Sequence, residues 1–122
     1  MKNTIKLIAV SCIILMVSTM TIGNTIEPIK KIVTVTFKVD GVCGSCKDRI
    51  EKAAMIKGVR FAEWDKINQV IKVIYSNKQT SQDAIEIAIA NIGHDTENHK
   101  AKDSVYDELP GCCQYRGDIE IH

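Results

Sequence analysis

The chain has 122 residues, of which 45% are hydrophobic and 25% charged. These values fit one compact domain and exclude a disordered chain. The formal net charge is +1, and no basic cluster marks a surface for nucleic acid. No serine–histidine–aspartate set, carboxylate pair or phosphate-binding glycine loop is evident, so we do not expect an enzyme.

The first 23 residues have the layout of a secretory signal peptide. Lys2 and Lys6 precede an apolar stretch over residues 7–17, and a small polar run follows. The stretch is shorter than the roughly twenty residues that span a bilayer. An uncleaved anchor and a lipoprotein acylated at Cys12 are the alternatives. We expect an exported, periplasmic protein whose mature domain is not inserted in the membrane.

Residues 24–30 are predicted to be a linker and residues 31–101 the folded domain. Alternation over residues 32–39 predicts a half-buried strand whose apolar face carries Val33, Val35, Phe37 and Val39. Beyond Asp40-Gly41, apolar residues recur at intervals of three and four. That spacing predicts a helix over about residues 45–56.

The second half of the domain repeats this order. The β-rich segments 59–65 and 70–75 flank a short polar connection, which predicts a hairpin. An isoleucine-rich stripe that stops at Gly93 predicts a helix over residues 81–92. The polar segment 95–101 is expected to supply a last edge strand, which gives the order β-α-β-β-α-β.

Two cysteines, Cys43 and Cys46, stand where the first strand passes into the first helix. Their spacing lets both sulfurs face one point, and the helix N-terminus favours thiolates, as does the charge of Lys47. A thiolate pair suits a soft ion such as Cu(I) and has too few donors for a closed zinc site. Low coordination leaves room for a partner's thiol, so the pair predicts a carrier that transfers its ion by ligand exchange.

The segment Gly41-Val42-Cys43-Gly44-Ser45-Cys46 resembles the Gly-Met-X-Cys-X-X-Cys motif of the heavy-metal-associated domain family. That family includes copper chaperones and the periplasmic mercury-binding protein. Val42 replaces the usual methionine, which keeps a buried anchor but removes a thioether. The resemblance covers about residues 31–100. It implies an α+β, ferredoxin-like βαββαβ sandwich with a four-stranded antiparallel sheet and two helices on one face.

The resemblance extends to Ile92-Gly93-His94-Asp95. This segment matches the loop that follows the second helix in the family and lies beside the metal-binding loop. His94 is therefore a candidate metal ligand or a screen for the thiolates, and a solvated loop histidine is the alternative. Cu(I) is the expected ion, with Hg(II), Ag(I), Zn(II) or Cd(II) as alternatives. We expect a monomer that passes its ion to a metal transporter or another metal-binding domain.

Residues 102–122 form a C-terminal tail in which one helical turn is predicted at 105–109, before the pair Cys112-Cys113. This pair is a candidate to complete a larger thiolate site with Cys43 and Cys46. It could instead hold a second ion, or join the tail to the domain by a disulfide.

Other functions remain open for Cys43 and Cys46. In an oxidising compartment the two could form a structural disulfide. A thiol-disulfide redox protein is the main rival, because a Cys-X-X-Cys motif that opens a helix is also the thioredoxin arrangement. The order of elements and the positions of the two prolines argue against that fold. A third alternative is an interaction module whose cysteines are incidental.

Overall fold

In a computed structural model, residues 31–117 and 120–122, together with Gly23, are described. The predicted signal peptide and linker otherwise lie outside the described residues. The described chain forms an antiparallel sheet of strands β1 (Ile32–Lys38), β2 (Val59–Asp65) and β3 (Val70–Ser76). Its helices are α1 (Gly44–Ala54), α2 (Gln82–Ala90) and α3 (Asp103–Tyr106), followed by a 3-10 turn at Gly111–Cys113.

Strand β3 lies in the middle of the sheet, in the order β1-β3-β2. Ile71 of β3 pairs with Phe37 of β1 on one side and with Trp64 of β2 on the other. These three side chains are buried and belong to one core, which also includes apolar side chains of α1 and α2. The predicted alternation of β1, the hairpin and both helices are confirmed, although each predicted helix extends two residues too far at its C-terminus.

The predicted fourth strand is wrong for the described residues, in which the sheet has three strands. Segment 95–101 contacts the sheet through a single antiparallel bridge, between Thr96 and Val39. The chain turns immediately afterwards, since the Thr96 N–H donates to the carbonyl of His99 at 2.8 Å. The α+β class and the antiparallel sheet are confirmed, but not the four-stranded form.

A buried carboxylate explains why segment 95–101 does not continue as a strand. Glu86 of α2 accepts hydrogen bonds from the backbone N–H of Asn98 at 2.9 Å and from the Thr96 hydroxyl at 2.8 Å. Burial alone would raise the pKa of Glu86, but the donors Gln82, Asn98 and Thr96 outweigh it, and the pKa is lowered. The backbone N–H of Asn98, which a strand could use in the sheet, is therefore directed to a side chain.

The tail returns to the domain. Tyr106 and Leu109 join the core, close to the helical turn that the sequence predicts. Gly93, three residues beyond the end of α2, has a φ of +108°, and a Cβ there would lie 3.0 Å from the Leu109 side chain. Glycine thus permits both the left-handed turn and the close approach of the tail. No helix within the described ranges is long and apolar enough to cross a membrane.

Candidate metal site

The Cys43–Cys46 loop is closely packed against the sheet. A Cβ at Gly41 would lie 2.8 Å from the Trp64 indole and 3.2 Å from the Cβ of Cys46, so only glycine fits there without a shift. Val42 is buried, as the resemblance implied for the residue in the methionine position. Cys43 is the extended N-cap of α1, and its Sγ lies 3.4 Å from the Sγ of Cys46. Both sulfurs face one point, as the spacing predicted.

The two thiols differ in their ease of ionisation. Burial raises the pKa of Cys43, but hydrogen bonds from the backbone N–H groups of Cys46 and Ser45 and from neighbouring thiols outweigh it, so the pKa is lowered. At Cys46 burial dominates and the pKa is raised. Cys43 is therefore the thiol of the pair that ionises first.

Lys47 does not act as the sequence suggested. Its ammonium group lies 2.5 Å from the carboxylate of Glu51 and donates to the backbone carbonyl of Trp64 at 2.8 Å. The same Glu51 oxygen accepts the backbone N–H of Trp64. Lys47 therefore joins α1 to β2, and the lowered pKa of Cys43 comes from hydrogen bonds at the helix N-terminus.

The tail brings two further thiols to this loop. The Sγ of Cys113 lies 3.7 Å from that of Cys43, and the Sγ of Cys112 lies 4.0 Å from that of Cys113. The sulfurs of Cys43, Cys112 and Cys113 all lie within 4.8 Å of one another. All four thiols of the described chain are free. This is the placement expected if the tail completes a larger thiolate site.

The tail thiols differ in exposure and in acidity. Cys113 is fully buried, whereas Cys112 is exposed. Burial, together with hydrogen bonds to the thiols of Cys46 and Cys43, raises the pKa of Cys113 to about 11. A metal ion that binds Cys113 has to displace this proton, and the charge of the ion then balances the buried thiolate in its place.

A set of polar contacts, which we call the Arg116 clamp, holds the tail over the loop. The guanidinium of Arg116 donates to both carboxylate oxygens of Asp95, at 2.8 and 3.1 Å, and lies 4.2 Å from the ring centre of Tyr106. The Tyr115 hydroxyl accepts the N–H of Asp95 and donates to the carbonyl of Gly93, both at 2.7 Å. The clamp fixes the position of the segment that carries Cys112 and Cys113.

Electrostatics favour the clamp. Burial alone would raise the pKa of Asp95, but the Arg116 guanidinium and the backbone N–H of Ala101 outweigh it, and the pKa is lowered. Both side chains of the pair are mostly buried, at 23% and 16% exposure. A bidentate pair in this position is stronger than an exposed one because water screens it less.

His94 lies between the loop and the tail rather than in solvent. It is fully buried, its Nδ1–H donates to the backbone carbonyl of Asp40 at 2.9 Å, and its ring stacks on Tyr115. Burial lowers the pKa of His94, which keeps the ring neutral. Nε2 has no hydrogen-bond partner in the described part of the chain. The solvated alternative is wrong, and the metal role stays a prediction.

The sequence did not indicate Tyr115, Arg116 or Asp95 as site residues. Nothing in the spacing of Arg116 pointed to a partner 21 residues earlier. The one available signal was a tyrosine and an arginine directly after Cys112-Cys113-Gln114. An aromatic ring and a forked cation at that point are typical of a docked segment rather than a solvated one.

Solved structures similar to this chain were found by comparison of folds. The CopZ metallochaperone is 29% identical, with a TM-score of 0.51 over 52% of this chain and 98% of its own. Oxidized MerP from Ralstonia metallidurans CH34 is 25% identical, with a TM-score of 0.52 over 54% of this chain and 94% of its own. No protein-family profile matches the sequence, and no curated protein matches it either.

A third similar structure is the N-terminal domain of a potential copper-translocating P-type ATPase from Bacillus subtilis, in the Cu(I)-loaded state. It is 26% identical, with a TM-score of 0.52 over 62% of this chain and 96% of its own. All three matches span nearly the whole of the other chain but only part of this one. The present chain is therefore longer than these structures.

Proposed function

The chain carries a domain of the heavy-metal-associated family, and from this premise we propose that it is an exported carrier of a soft metal ion. Cys43 and Cys46 capture the ion as thiolates, and Cu(I) is the proposed cargo. The carrier then passes the ion by ligand exchange to a membrane metal transporter or to another metal-binding domain.

One observation supports the proposal most. The free thiols of Cys43 and Cys46 face each other at 3.4 Å at the N-terminus of α1, where hydrogen bonds from backbone N–H groups lower the pKa of Cys43. This arrangement offers an ion two soft donors, one of which ionises easily. A purely structural pair would not need that asymmetry.

The choice of Cu(I) rests on donor chemistry and on two of the similar structures. Thiolates select soft ions, and the loop supplies sulfur rather than oxygen. One similar structure is the CopZ metallochaperone, and another is an ATPase domain in the Cu(I)-loaded state. Hg(II), Ag(I), Zn(II) and Cd(II) are the competing ions that a titration has to separate.

Export is proposed from the leader-like N-terminus. Lys2, Lys6 and the apolar stretch over residues 7–17 have the order of a signal peptide. Thiols in an oxidising compartment must be kept or made reduced before they bind an ion. The mass of the protein recovered from the periplasmic fraction tests export, since cleavage near residue 23 removes Cys12. Recovery of the uncleaved protein in the cytosol would contradict it.

An anaerobic titration tests the metal site. We would use the full chain with Cys12→Ser, called the reference chain, so that four thiols remain. Cu(I), Hg(II) and Zn(II) are added in turn against a competing chelator, and one tightly bound Cu(I) per chain is expected. The double variant Cys43→Ser, Cys46→Ser should lose this binding, whereas the exposed Ser104→Ala, which lies outside the loop, should not. Unchanged affinity in the double cysteine variant would refute the assignment.

A redox function is the second candidate because the thiols of Cys43 and Cys46 are unequal in pKa and close together. An oxidoreductase must also present its more acidic thiol to a partner's disulfide. Here Cys43 is buried beneath Cys113, which disfavours that attack. Catalytic reduction of insulin by the reference chain would support the redox function over the carrier.

A further inference from the structure

We propose that the tail converts the cysteine pair into an enclosed three-thiolate site of Cys43, Cys46 and Cys113. In this arrangement Cys112 is the surface thiol through which the ion enters and leaves. The proposal rests on the proposed carrier function and adds the coordination number and the exit residue. Three observations support this site: the spacing of the sulfurs, the burial of each thiol and the backbone geometry of the tail.

The sulfur spacing suits more than two ligands. With metal–sulfur bonds of about 2.3 Å, two sulfurs in a linear arrangement lie about 4.6 Å apart, and three in a trigonal plane about 4.0 Å. The sulfurs of Cys43 and Cys46 are 3.4 Å apart, and those of Cys43 and Cys113 are 3.7 Å apart. Small outward movements bring both of these pairs to the trigonal spacing, whereas a linear site would require the Cys43–Cys46 pair to separate by more than an ångström. Cys46 lies outside the group of sulfurs within 4.8 Å of one another, so its sulfur must also move toward Cys113 when the ion binds.

Burial divides the four thiols into an inner and an outer group. Cys46 and Cys113 are 0% exposed and Cys43 is 6% exposed, so a partner's thiol cannot reach an ion held among them while the tail is docked. Cys112 is the exposed member. Its sulfur lies within 4.8 Å of those of both Cys43 and Cys113. An ion can therefore bind Cys112 without leaving two of its inner ligands.

The backbone of the tail makes this possible. Neighbouring residues in an extended chain point to opposite sides, and two adjacent cysteines would then not share a site. Here the 3-10 turn at Gly111–Cys113, closed by a 2.7 Å hydrogen bond from the Cys113 N–H to the Pro110 carbonyl, keeps both sulfurs on the same side. The Arg116 clamp holds this turn over the loop.

Transfer then proceeds by exchange of ligands. Cys112 gives its proton to solvent and its thiolate bonds to the ion, while the bond to Cys46 breaks and the Cys46 thiolate takes up a proton. Cys46 is the thiol that leaves because it lies outside the three-sulfur cluster of Cys43, Cys112 and Cys113. Thiolates of the partner next bond to the ion one after another, and the bonds to Cys43, Cys113 and finally Cys112 break in turn; the freed thiolates take up protons from solvent. No electron moves, and the ion keeps its oxidation state throughout.

The test compares Cys113→Ser with Cys112→Ser in the reference chain loaded with Cu(I). X-ray absorption counts the sulfur ligands, chelator competition gives the affinity, and transfer to the CopZ metallochaperone gives a rate. Cys113→Ser should reduce three sulfurs to two and weaken binding about tenfold or more. Cys112→Ser should keep three sulfurs and an affinity within about twofold, but slow the transfer about tenfold.

A second variant covers the case in which Cys113→Ser does not fold. Arg116→Gln leaves all four thiols in place and loosens the clamp, so it should weaken Cu(I) binding about tenfold, as loss of an outer-shell contact typically does. The exposed Arg60→Gln is the matched control and should bind as the reference chain does.

The outcomes separate the two proposals. A reference chain that binds no Cu(I) refutes the carrier function itself. Two sulfurs in the reference chain, equal losses of affinity in Cys112→Ser and Cys113→Ser, or unchanged transfer in Cys112→Ser would overturn only the present inference. Equal losses would indicate a four-thiolate site instead.

Discussion

The domain of residues 31–101 and the described tail of residues 102–117 are held in place by partly different contacts. The domain is held by a continuous apolar core between the sheet and the helices. The tail adds the apolar side chains of Tyr106 and Leu109 to that core, and the Arg116 clamp fixes it further through directional contacts. Apolar burial is spread over many contacts, whereas the clamp depends on a few directional ones. The attachment of the tail can therefore change while the domain stays folded.

The largest effect is expected in the core of the domain. Ile71→Ala removes a fully buried side chain between Phe37 and Trp64, and should lower the free energy of unfolding by about 2–5 kcal/mol. Denaturant unfolding measures it. Ile67→Ala, in the hairpin turn and 78% exposed, is the control and should stay within about 0.5 kcal/mol. Equal effects at the two sites would contradict this description of the core.

A smaller and more local effect is expected at the clamp. Arg116→Gln should lower the free energy of unfolding by about 1.5–3 kcal/mol, the range for hydrogen bonds to charged groups. Amide hydrogen exchange should become faster in the tail but not in β3. Alkylation of Cys113 should also become faster, because the residue is buried only by the docked tail. Uniformly faster exchange in the tail and the sheet would mean that the two regions unfold as one unit.

Acid should loosen the tail before it unfolds the sheet. The pKa values of Asp95 and Glu86 are lowered in the folded protein. Their stabilisation is therefore fully present above the ordinary pKa of about 4 and is lost as the pH falls through the folded values. Tail amides should lose protection progressively as the pH falls below about 4. Asp95→Asn should flatten this dependence, and an unchanged pH profile in that variant would assign the acid sensitivity elsewhere.

The smallest effect is expected at the exposed thiol. Cys112→Ser should change the free energy of unfolding by less than about 0.5 kcal/mol, since surface substitutions rarely do more. Cys113→Ser places a hydroxyl in a fully buried position and should cost more. Thermal unfolding of the two metal-free variants checks the difference. A larger loss of unfolding free energy for Cys112→Ser than for Cys113→Ser would show that the Cys112 side chain makes stabilising contacts with the rest of the protein.

The sequence predicted what depends on local pattern. Alternation identified β1 and the hairpin, and three-to-four spacing identified α1 and α2, because each pattern records which face is buried. The positions of Cys43 and Cys46 at the strand–helix junction were predicted in the same way. These features follow from residues that are close together in the chain.

What depends on distant side chains was not predicted. Segment 95–101 has the length of an edge strand. However, the carboxylates of Glu86 and Asp95 accept hydrogen bonds from the backbone N–H groups of Asn98 and Ala101, respectively. The docking of the tail likewise depends on Arg116 meeting Asp95 across the loop. Such pairings leave no periodic pattern in the sequence. The position of Cys112 and Cys113 beside the Cys43–Cys46 loop could therefore not be predicted from their spacing.

The packing of Trp64 under the loop has a practical consequence. It is the only tryptophan of the chain, its indole contacts the position of Gly41 and its Nε1–H donates to the Val39 carbonyl at 3.0 Å. Any movement of the loop changes the surroundings of this single fluorophore. The emission of the unlabelled protein should therefore change when an ion binds at the loop and change back when it leaves, so binding and release can be followed in real time without an added label.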